Sequence, residues 1–407
     1  MPRYENTTTG KYIEIIESGY IREGELNAST PRHFVKTTID NAKSITDKHL
    51  ASGYVDAGLV GTVWDFEPNA RLENKIRDSI DNAKAYLDYA HWLNKNGQKE
   101  FGNLIKSNQS DLSYEEYRLY FGEMRFENDI IQWRHGFIQT FESVSNRSTI
   151  ELNKFLRLPP LIFLESLNMW QTDIPELLHL LSDWRGLQRL KKLNLWDEQE
   201  LGIGDYSFIL PKLKHLQYFY LVGTIFKAEE DEPELGEFDF PELTHFARVS
   251  PDLSERELHT ITTATWPKLE SLTLGIGFES NIIAGDFKFL LNGDNFRSIK
   301  YLSIRHFTET DTLILLLAKS TILAQLVKLD FYQSDLTHNG VKALIDNKDK
   351  FNHLEEIGIR ETTLTQKDEA TLSATFHSIH TPNPFRELGD IPYIEGIYQE
   401  DFWEQEV

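Results

Sequence analysis

Apolar residues recur along the second half of the chain in the frame L-x-x-L-x-L. In the stretch RLKKLNLWD, leucines stand at positions 190, 193 and 195, too close together for one face of a helix. An extended segment would point Leu193 and Leu195 to the same side, because side chains alternate along a strand. One such segment indicates only a half-buried strand, so its neighbours determine the larger structure.

The frame occurs eight times, and its first positions are 26 to 30 residues apart. The copies are Leu164-Leu167-Met169, Leu190-Leu193-Leu195, Leu216-Phe219-Leu221, Leu243-Phe246, Leu269-Leu272-Leu274, Ile299-Leu302-Ile304, Leu326-Leu329-Phe331 and Leu354-Ile357-Ile359. A period of this length is the signature of a repeat architecture. We therefore interpret RLKKLNLWD as one strand of a repeating series.

Helical spacing appears between several of these frames. The ranges 174–184, 311–323 and 339–351 place apolar residues three and four positions apart, as in Val341, Leu344 and Ile345. The predicted unit is therefore a strand, a turn and a helix.

The repeat resembles the leucine-rich repeat in its long, ribonuclease-inhibitor-like form, over residues 161–374. The resemblance implies an α/β leucine-rich repeat solenoid of about eight strand-turn-helix repeats, with strands lining a concave surface and helices outside. Stacked neighbours would bury a continuous core, since one repeat cannot bury its own apolar face. Residues 375–407 are expected to form an acidic C-terminal cap or tail.

A helical segment with a cap is predicted at residues 71–160. Its apolar positions fit helices, with Gly97 as a stop; they are Ile76, Ile80, Ala83, Leu87, Ala90 and Leu93. The segment resembles the companion domain that precedes leucine-rich repeats in many bacterial proteins, through Tyr89, Ala90, Trp92, Leu93 and Gly97. Trp92 is expected to lie in the core beside Leu87 and Leu93.

A strand is predicted to cap the first repeat. The stretch QWRHGFIQTF at 132–141 places Ile138 and Phe141 one repeat length before the first frame. An end of a solenoid needs such a cap, because its apolar face would otherwise meet water.

The N-terminal residues 1–70 predict a small α+β domain. KYIEIIESGYIREGEL alternates in two runs around residues 17–19, as a hairpin does, and Asp40 is placed to cap a helix. This order, closed by Gly53-Tyr54-Val55, resembles the WGR domain of poly(ADP-ribose) polymerases and of bacterial proteins related to the molybdate metabolism regulator. The name-giving tryptophan and arginine fall on Glu23 and Glu25.

The composition narrows the function classes. The chain has 407 residues, a formal net charge of -22 and no cysteine, which excludes disulfides, thiolate metal sites and cysteine nucleophiles. It has no apolar run long enough to span a bilayer, and MPRYENTTTGKY lacks the apolar core of a secretory signal, so we expect a cytoplasmic protein without membrane association. Glutamates at 23 and 25 and the net charge would repel phosphates, which disfavours nucleic acid as a partner.

Catalytic patterns are missing from the sequence. It contains no H-E-x-x-H, no G-x-S-x-G and no phosphate-binding glycine loop. We therefore expect no catalytic residue, no metal and no cofactor. The range 227–242 carries eight acidic residues and one lysine, which fits a solvated loop or, as the alternative, a contact for a basic partner.

Three functions remain open on this evidence. The leading one is a noncatalytic binding scaffold whose concave face meets a protein partner, in an immunity or regulatory role. The alternatives are nucleic-acid association through the WGR-like domain, and an enzyme or enzyme subunit. Residues 1–70 hold seven Lys or Arg against ten Asp or Glu, which weakens the nucleic-acid alternative.

The partner-binding residues follow from strand alternation. The third, fifth and seventh positions of each frame should face away from the core and line the concave face. Aromatic residues and arginine are enriched at interface hot spots, so the predicted contacts are Trp170, Trp196, Tyr218, Tyr220, Tyr301, Arg305, Tyr332 and Arg360. The alternative for Trp170 and Trp196 is that they pack against the strand ends or on each other.

Overall fold

The structure is a computed structural model that describes most of the repeats and part of the N-terminal region. The described residues are 2–6, 8, 11–16, 20–25, 33–36, 55–59, 69–107, 129–143, 147, 149–170, 173–197, 202–224, 238–359, 364–377 and 379–380. The chain divides into two compact units, unit 1 at residues 1–190 and unit 2 at residues 191–407. The predicted domain boundaries at 70, 160 and 374 stay predictions.

Unit 1 begins with an antiparallel sheet of five strands. They are β1 (Pro2–Asn6), β2 (Lys11–Ile16), β3 (Tyr20–Glu25), β4 (His33–Lys36) and β5 (Val55–Leu59), in the order β4-β3-β2-β1-β5. Ile16 pairs with Tyr20, which confirms the predicted hairpin around residues 17–19. The helix predicted after Asp40 lies outside the described residues, and the WGR-like assignment stays a prediction.

Three helices follow among the described residues 69–107 of unit 1, at Ala70–Asp78, Ala83–Lys95 and Lys99–Ser107. Gly97 adopts φ +87° just after the second helix, which confirms the predicted stop. The side chain of Asn69 accepts a hydrogen bond from the Leu72 amide and so caps the first helix.

The buried face of the helix Ala83–Lys95 differs from the predicted one. Leu87 is 41% exposed, whereas Tyr86, Tyr89 and Leu93 are buried. Trp92 is half-buried, with its ring centroid 5.6 Å from that of Tyr89. The expected packing of Trp92 beside Leu87 was therefore wrong, because the two tyrosines bring larger apolar surfaces to the core from the other side of the helix.

An antiparallel hairpin precedes the first repeat. It consists of β6 (Ile130–Arg134) and β7 (Phe137–Ser143), and β7 runs parallel to β8 (Ser166–Trp170). Ile138 and Phe141 are fully buried on the predicted strand, and its function as a cap stays a prediction. The other described helices of unit 1 are α-helices at Thr149–Leu156 and Ile174–Asp183 and 3-10 helices at Pro159–Leu161 and Leu187–Arg189.

Unit 2 is built on a parallel sheet with one strand per repeat. The strands are β9 (Lys192–Trp196), β10 (Tyr218–Val222), β11 (His245–Val249), β12 (Ser271–Gly275), β13 (Tyr301–Arg305), β14 (Lys328–Asp330), β15 (Glu356–Gly358) and β16 (Ile379–His380). They follow one another in chain order. Each predicted frame is therefore a strand, and the fold is α/β, consistent with a leucine-rich-repeat-like solenoid.

Helices connect most of the strands of unit 2. The α-helices are Glu255–Thr263, Lys288–Leu291, Thr310–Leu317, His338–Asp346, Lys348–Phe351 and Gln366–Thr375, and the 3-10 helices are Leu210–Lys212, Ala284–Phe287 and Ile322–Gln325. The frame leucines belong to the core, and Leu193 and Leu272 are fully buried. None of the described helices has the length and apolar composition needed to cross a membrane.

The connection after β9 departs from the predicted unit. Between residues 202 and 217 the described chain has only the single 3-10 turn at Leu210–Lys212 in place of an α-helix. Gly202 and Gly204 adopt positive φ, and the Asp197 carboxylate accepts a hydrogen bond from the Gly202 amide at 2.6 Å. These conformations bend the chain locally and prevent a helix from continuing. Within the acidic range, residues 227–237 lie outside the described residues.

Candidate functional site

The third, fifth and seventh positions of the frames share one face of the unit 2 sheet, which we name the ladder face. Parallel register aligns the third positions into a row formed by Lys192, Tyr218, His245, Ser271, Tyr301, Lys328 and Glu356. The fifth positions form the central row of Asn194, Tyr220, Ala247, Thr273, Ser303, Asp330 and Gly358. Residues far apart in sequence thus become lateral neighbours.

One aromatic and cationic cluster lies at β9 to β11. The Tyr218 and His245 rings stack with centroids 4.5 Å apart and an interplanar angle of 19°. The Lys192 ammonium lies 5.7 Å from the Tyr218 ring centroid, within the range of a cation–π contact. The hydroxyl of Thr244 lies 2.9 Å from His245 Nδ1 and helps to orient the imidazole. This cluster, Lys192-Tyr218-His245, is the first cluster.

A second cluster is centred on Arg305. Its Nε donates to the hydroxyl of Ser303 at 2.9 Å and lies 3.6 Å from the Asp330 carboxylate. Its guanidinium carbon lies 5.5 Å from the Tyr332 ring centroid. The hydroxyl of Ser303 in turn donates to Asp330 at 2.7 Å, so the guanidinium is held in one orientation.

The second cluster extends along the row of third positions on the ladder face. The Lys328 ammonium lies 5.8 Å from the Tyr301 ring centroid and 2.6 Å from the Glu356 carboxylate. We therefore include Tyr301, Lys328 and Glu356 in the second cluster. The structure thus brings together the predicted contact residues Tyr301, Arg305 and Tyr332.

Small side chains separate the two clusters. Ala247, Ser271, Thr273 and Gly275 lie on β11 and β12, and the first three are 5%, 7% and 4% exposed. A Cβ added to Gly275 would lie 2.5 Å from Cγ1 of Val249, so this position has no room for a side chain without displacing that valine. Larger side chains stand on both sides of this strip of small side chains, which we name the trough.

The predicted contact residues differ in exposure. Trp196, Tyr218 and Tyr301 are half-buried, whereas Tyr220 and Tyr332 are only 6% and 7% exposed. Tyr220 is covered because the central row is flanked by side chains on its own strand and on both neighbouring strands.

Two further predicted contact residues lie elsewhere. Trp170, on β8 in unit 1, is 4% exposed, which agrees with the packing alternative for this residue. Arg360 lies outside the described residues. The assignment of all these side chains to a partner contact stays a prediction.

The charge of the ladder face differs from that of the chain. Its described part in unit 2 carries the cations Lys192, Arg305 and Lys328 and the carboxylates of Asp330 and Glu356. The whole chain, in contrast, has a net charge of -22. The described part of the ladder face therefore does not itself provide the acidic surface that a basic partner would need.

A buried polar network near this face was not predicted. Arg248 occupies the last apolar position of the fourth frame and is fully buried, and its Nε donates to Glu257 at 2.6 Å. The Tyr206 hydroxyl donates to the same carboxylate at 2.7 Å, and burial raises the pKa of Tyr206 well above its usual value. The only sequence signal was the arginine at a position where the other frames carry an apolar residue.

Comparisons with known proteins address the fold. No protein-family model matches the chain, and no curated protein matches it significantly. Among solved structures, it is similar to a structural-genomics protein from Bacteroides fragilis, with 16% identity, a TM-score of 0.50, and coverage of 93% of this chain and 95% of that chain. It also matches an internalin from Listeria monocytogenes with 14% identity, a TM-score of 0.26, and coverage of 70% of this chain and 94% of that chain. The Bacteroides likeness concerns the fold alone.

Proposed function

We propose that the protein is a noncatalytic, cytoplasmic binding scaffold that contacts a protein partner through the ladder face. The observation that carries this proposal is the alignment of two aromatic and cationic clusters on either side of a trough on one sheet face. Tyrosine, tryptophan and arginine are the residue types enriched in interface hot spots. The biological setting that we propose is an immunity or regulatory role.

The internal contacts of the clusters support recognition. Tyr218 is held between Lys192 and His245, and Arg305 is held by Ser303, Asp330 and the Tyr332 ring. Side chains that are already ordered lose less conformational entropy on binding. The clusters therefore offer preorganised anchors, while the trough leaves room for a partner side chain between them.

The chemistry of the face also defines the partner. Each cluster combines a ring, a cation and hydrogen-bonding groups, and the face is close to electrically neutral. We therefore propose a partner segment with apolar or aromatic side chains and backbone groups that reach the rims. A partner that is recognised through its positive charge alone would require another surface, such as the acidic range 227–242.

The test uses a partner identified by cross-linking in the native host and then purified. Tyr218→Ala and Tyr301→Ala should each weaken the complex by about 1 to 3 kcal/mol in calorimetric titrations, as expected for interface anchors. Leu315→Ala is the matched control, because Leu315 is 45% exposed on the helix Thr310–Leu317. The melting temperatures of all three variants should stay near that of the wild type.

The proposal fails if the affinity ignores both tyrosines. An affinity that responds instead to deletion of residues 227–237 would assign the contact to the acidic range. Loss of binding on removal of residues 1–70 would assign it to the N-terminal region.

A further inference from the structure

Four arginines gather around carboxylates in unit 1. Arg77 Nη2 and Arg185 Nη2 each lie 3.6 Å from the Glu73 carboxylate. Arg134 Nη1 lies 3.6 Å from Glu165. The fourth arginine, Arg189, ends the 3-10 helix Leu187–Arg189.

Arg189 differs from the others in its hydrogen bonding. Its guanidinium carbon lies 5.9 Å from the ring centroid of Phe163, and its Nε and Nη2 atoms are buried. Within the described part of the chain, neither atom has a hydrogen-bond partner, and the buried Nε of Arg77 also has none. Three guanidinium donors on two neighbouring arginines are thus unbonded.

The two unbonded nitrogens of Arg189 form one edge of the guanidinium. The N–H groups of Nε and Nη2 point in the same direction and match two oxygens of one anion. Arg248 shows the same edge when it is occupied, because its Nε and Nη2 bind Glu257 Oε1 at 2.6 Å and Oε2 at 3.3 Å. The edge of Arg189 therefore has the geometry of an anion site.

The electrostatics at Arg189 favour an additional anion. Burial and the neighbouring charge of Arg77 lower the pKa of Arg189 by more than the nearby Glu165, Tyr86 and Asp78 raise it, so its surroundings on balance disfavour the cation. A buried donor without a partner is destabilising, by more when the group is charged. An anion at this edge would accept hydrogen bonds from the buried donors and would stabilise the cation.

We propose that the Nε–Nη2 edge of Arg189 binds the phosphate group of a small ligand. The paired donors of this edge match two oxygens of a phosphate group. Phosphate carries more negative charge than a carboxylate, which the neighbouring charge of Arg77 favours. Two neighbouring arginines, Arg77 and Arg134, each keep 28% of the side chain exposed. Inorganic phosphate and a phosphorylated metabolite present the same group to this site.

The experiment titrates the full chain with inorganic phosphate at constant ionic strength, with detection by calorimetry and by the melting temperature. Arg189→Lys keeps the charge but removes the paired donors, so it should weaken phosphate binding at least tenfold. Arg157→Gln is the control, because Arg157 is exposed in the same unit, and it should leave the affinity unchanged. Arg189→Met should raise the melting temperature without phosphate and abolish the stabilisation by phosphate.

Further ligands distinguish inorganic phosphate from a phosphorylated metabolite as the natural ligand. Glucose 6-phosphate and AMP as probes should compete with phosphate, and tighter binding of either would identify a phosphorylated metabolite as the natural class. Acetate that binds as tightly as phosphate would contradict the choice of phosphate. The proposal is overturned if wild-type protein shows no phosphate binding, or if Arg189→Lys binds phosphate as the wild type does.

Discussion

Arg248 and Glu257 form an ion pair inside unit 2, with both side chains at most 1% exposed. Nη1 of Arg248 also donates to the carbonyl oxygens of Gly223 and Val249, each at 2.7 Å. The pair therefore connects β11 with the helix Glu255–Thr263 and with the chain that leaves β10. A charge in this position is tolerated only because all of its partners are present.

Removing one partner should destabilise the fold strongly. Arg248→Met leaves the Glu257 carboxylate buried without its cation, and the free energy of unfolding should fall by about 3 to 5 kcal/mol. Denaturation in urea measures the change. The double variant Arg248→Met/Glu257→Leu should lose less than Arg248→Met alone, and a loss under 1 kcal/mol in the single variant would show that the pair is not buried in solution.

Acid should destabilise the protein through His306. Burial, together with the charge of Arg305, lowers the pKa of His306 to about 4, so the folded state holds the neutral imidazole. The unfolded chain takes up the proton at its ordinary pKa of about 6.5, so stability is lost as the pH falls from about 6.5 towards 4. The loss from this residue is about 3 kcal/mol at most.

Replacing His306 tests this pH dependence. Asn is suited to the positive φ of 51° at this position, so His306→Asn should flatten the stability profile between pH 6.5 and 4 while keeping the fold. His91→Asn, on an exposed position, serves as the control and should retain the wild-type slope. Equal slopes in wild type and His306→Asn would contradict the prediction.

Two glycines should respond oppositely to alanine. Gly277 has φ +85°, and a Cβ there would lie 1.8 Å from the carbonyl oxygen of Pro251. Gly277→Ala should therefore lower the free energy of unfolding by about 3 kcal/mol or more through strain and backbone displacement. For Gly285, in the 3-10 helix Ala284–Phe287, the nearest heavy atom would be Ile283 Cδ1 at 3.9 Å, so Gly285→Ala should be neutral or slightly stabilising. Similar melting temperatures for the two variants would show that the turn at Gly277 relaxes freely.

Truncation should reveal the role of the capping hairpin. A fragment of residues 161–407 lacks β7 and exposes the edge of β8 together with the apolar surface that Ile138 and Phe141 cover. We expect it to aggregate or to melt without cooperativity in circular dichroism, whereas a fragment of residues 129–407 should melt cooperatively. A soluble and cooperative 161–407 fragment would argue against a capping function.

The protein should bind DNA only weakly. From Glu23, Glu25 and the net charge, we expect a dissociation constant no tighter than about 10 µM at physiological salt, weaker than typical specific complexes. Fluorescence anisotropy with duplex and single-stranded oligonucleotides measures it. Salt-dependent submicromolar binding would support the nucleic-acid alternative and would make Arg22, Arg32 and Lys36 the first residues to replace.

The strands and their register followed from the sequence. Leu193 and Leu195 face the core, and the same alternation repeats in each frame because strand side chains alternate with a period of two. The sequence also predicted the helix stop at Gly97 and the hairpin around residues 17–19. Both depend on local backbone preferences. These features involve residues close together in sequence, where local pattern carries most of the information.

The structure decided the features that depend on lateral neighbours. The sequence placed Tyr220 and Tyr301 on the same face, but only packing shows that Tyr220 is covered while Tyr301 keeps part of its surface. Leu87 and Tyr86 are adjacent in the chain, and the tertiary structure determines that the tyrosine is buried. The burial of Arg248, at a position that is apolar in the other frames, is explained only by its ion pair with Glu257. Alternation assigns a side chain to a face, whereas its exposure and its partners depend on elements that the chain brings together over long sequence distances.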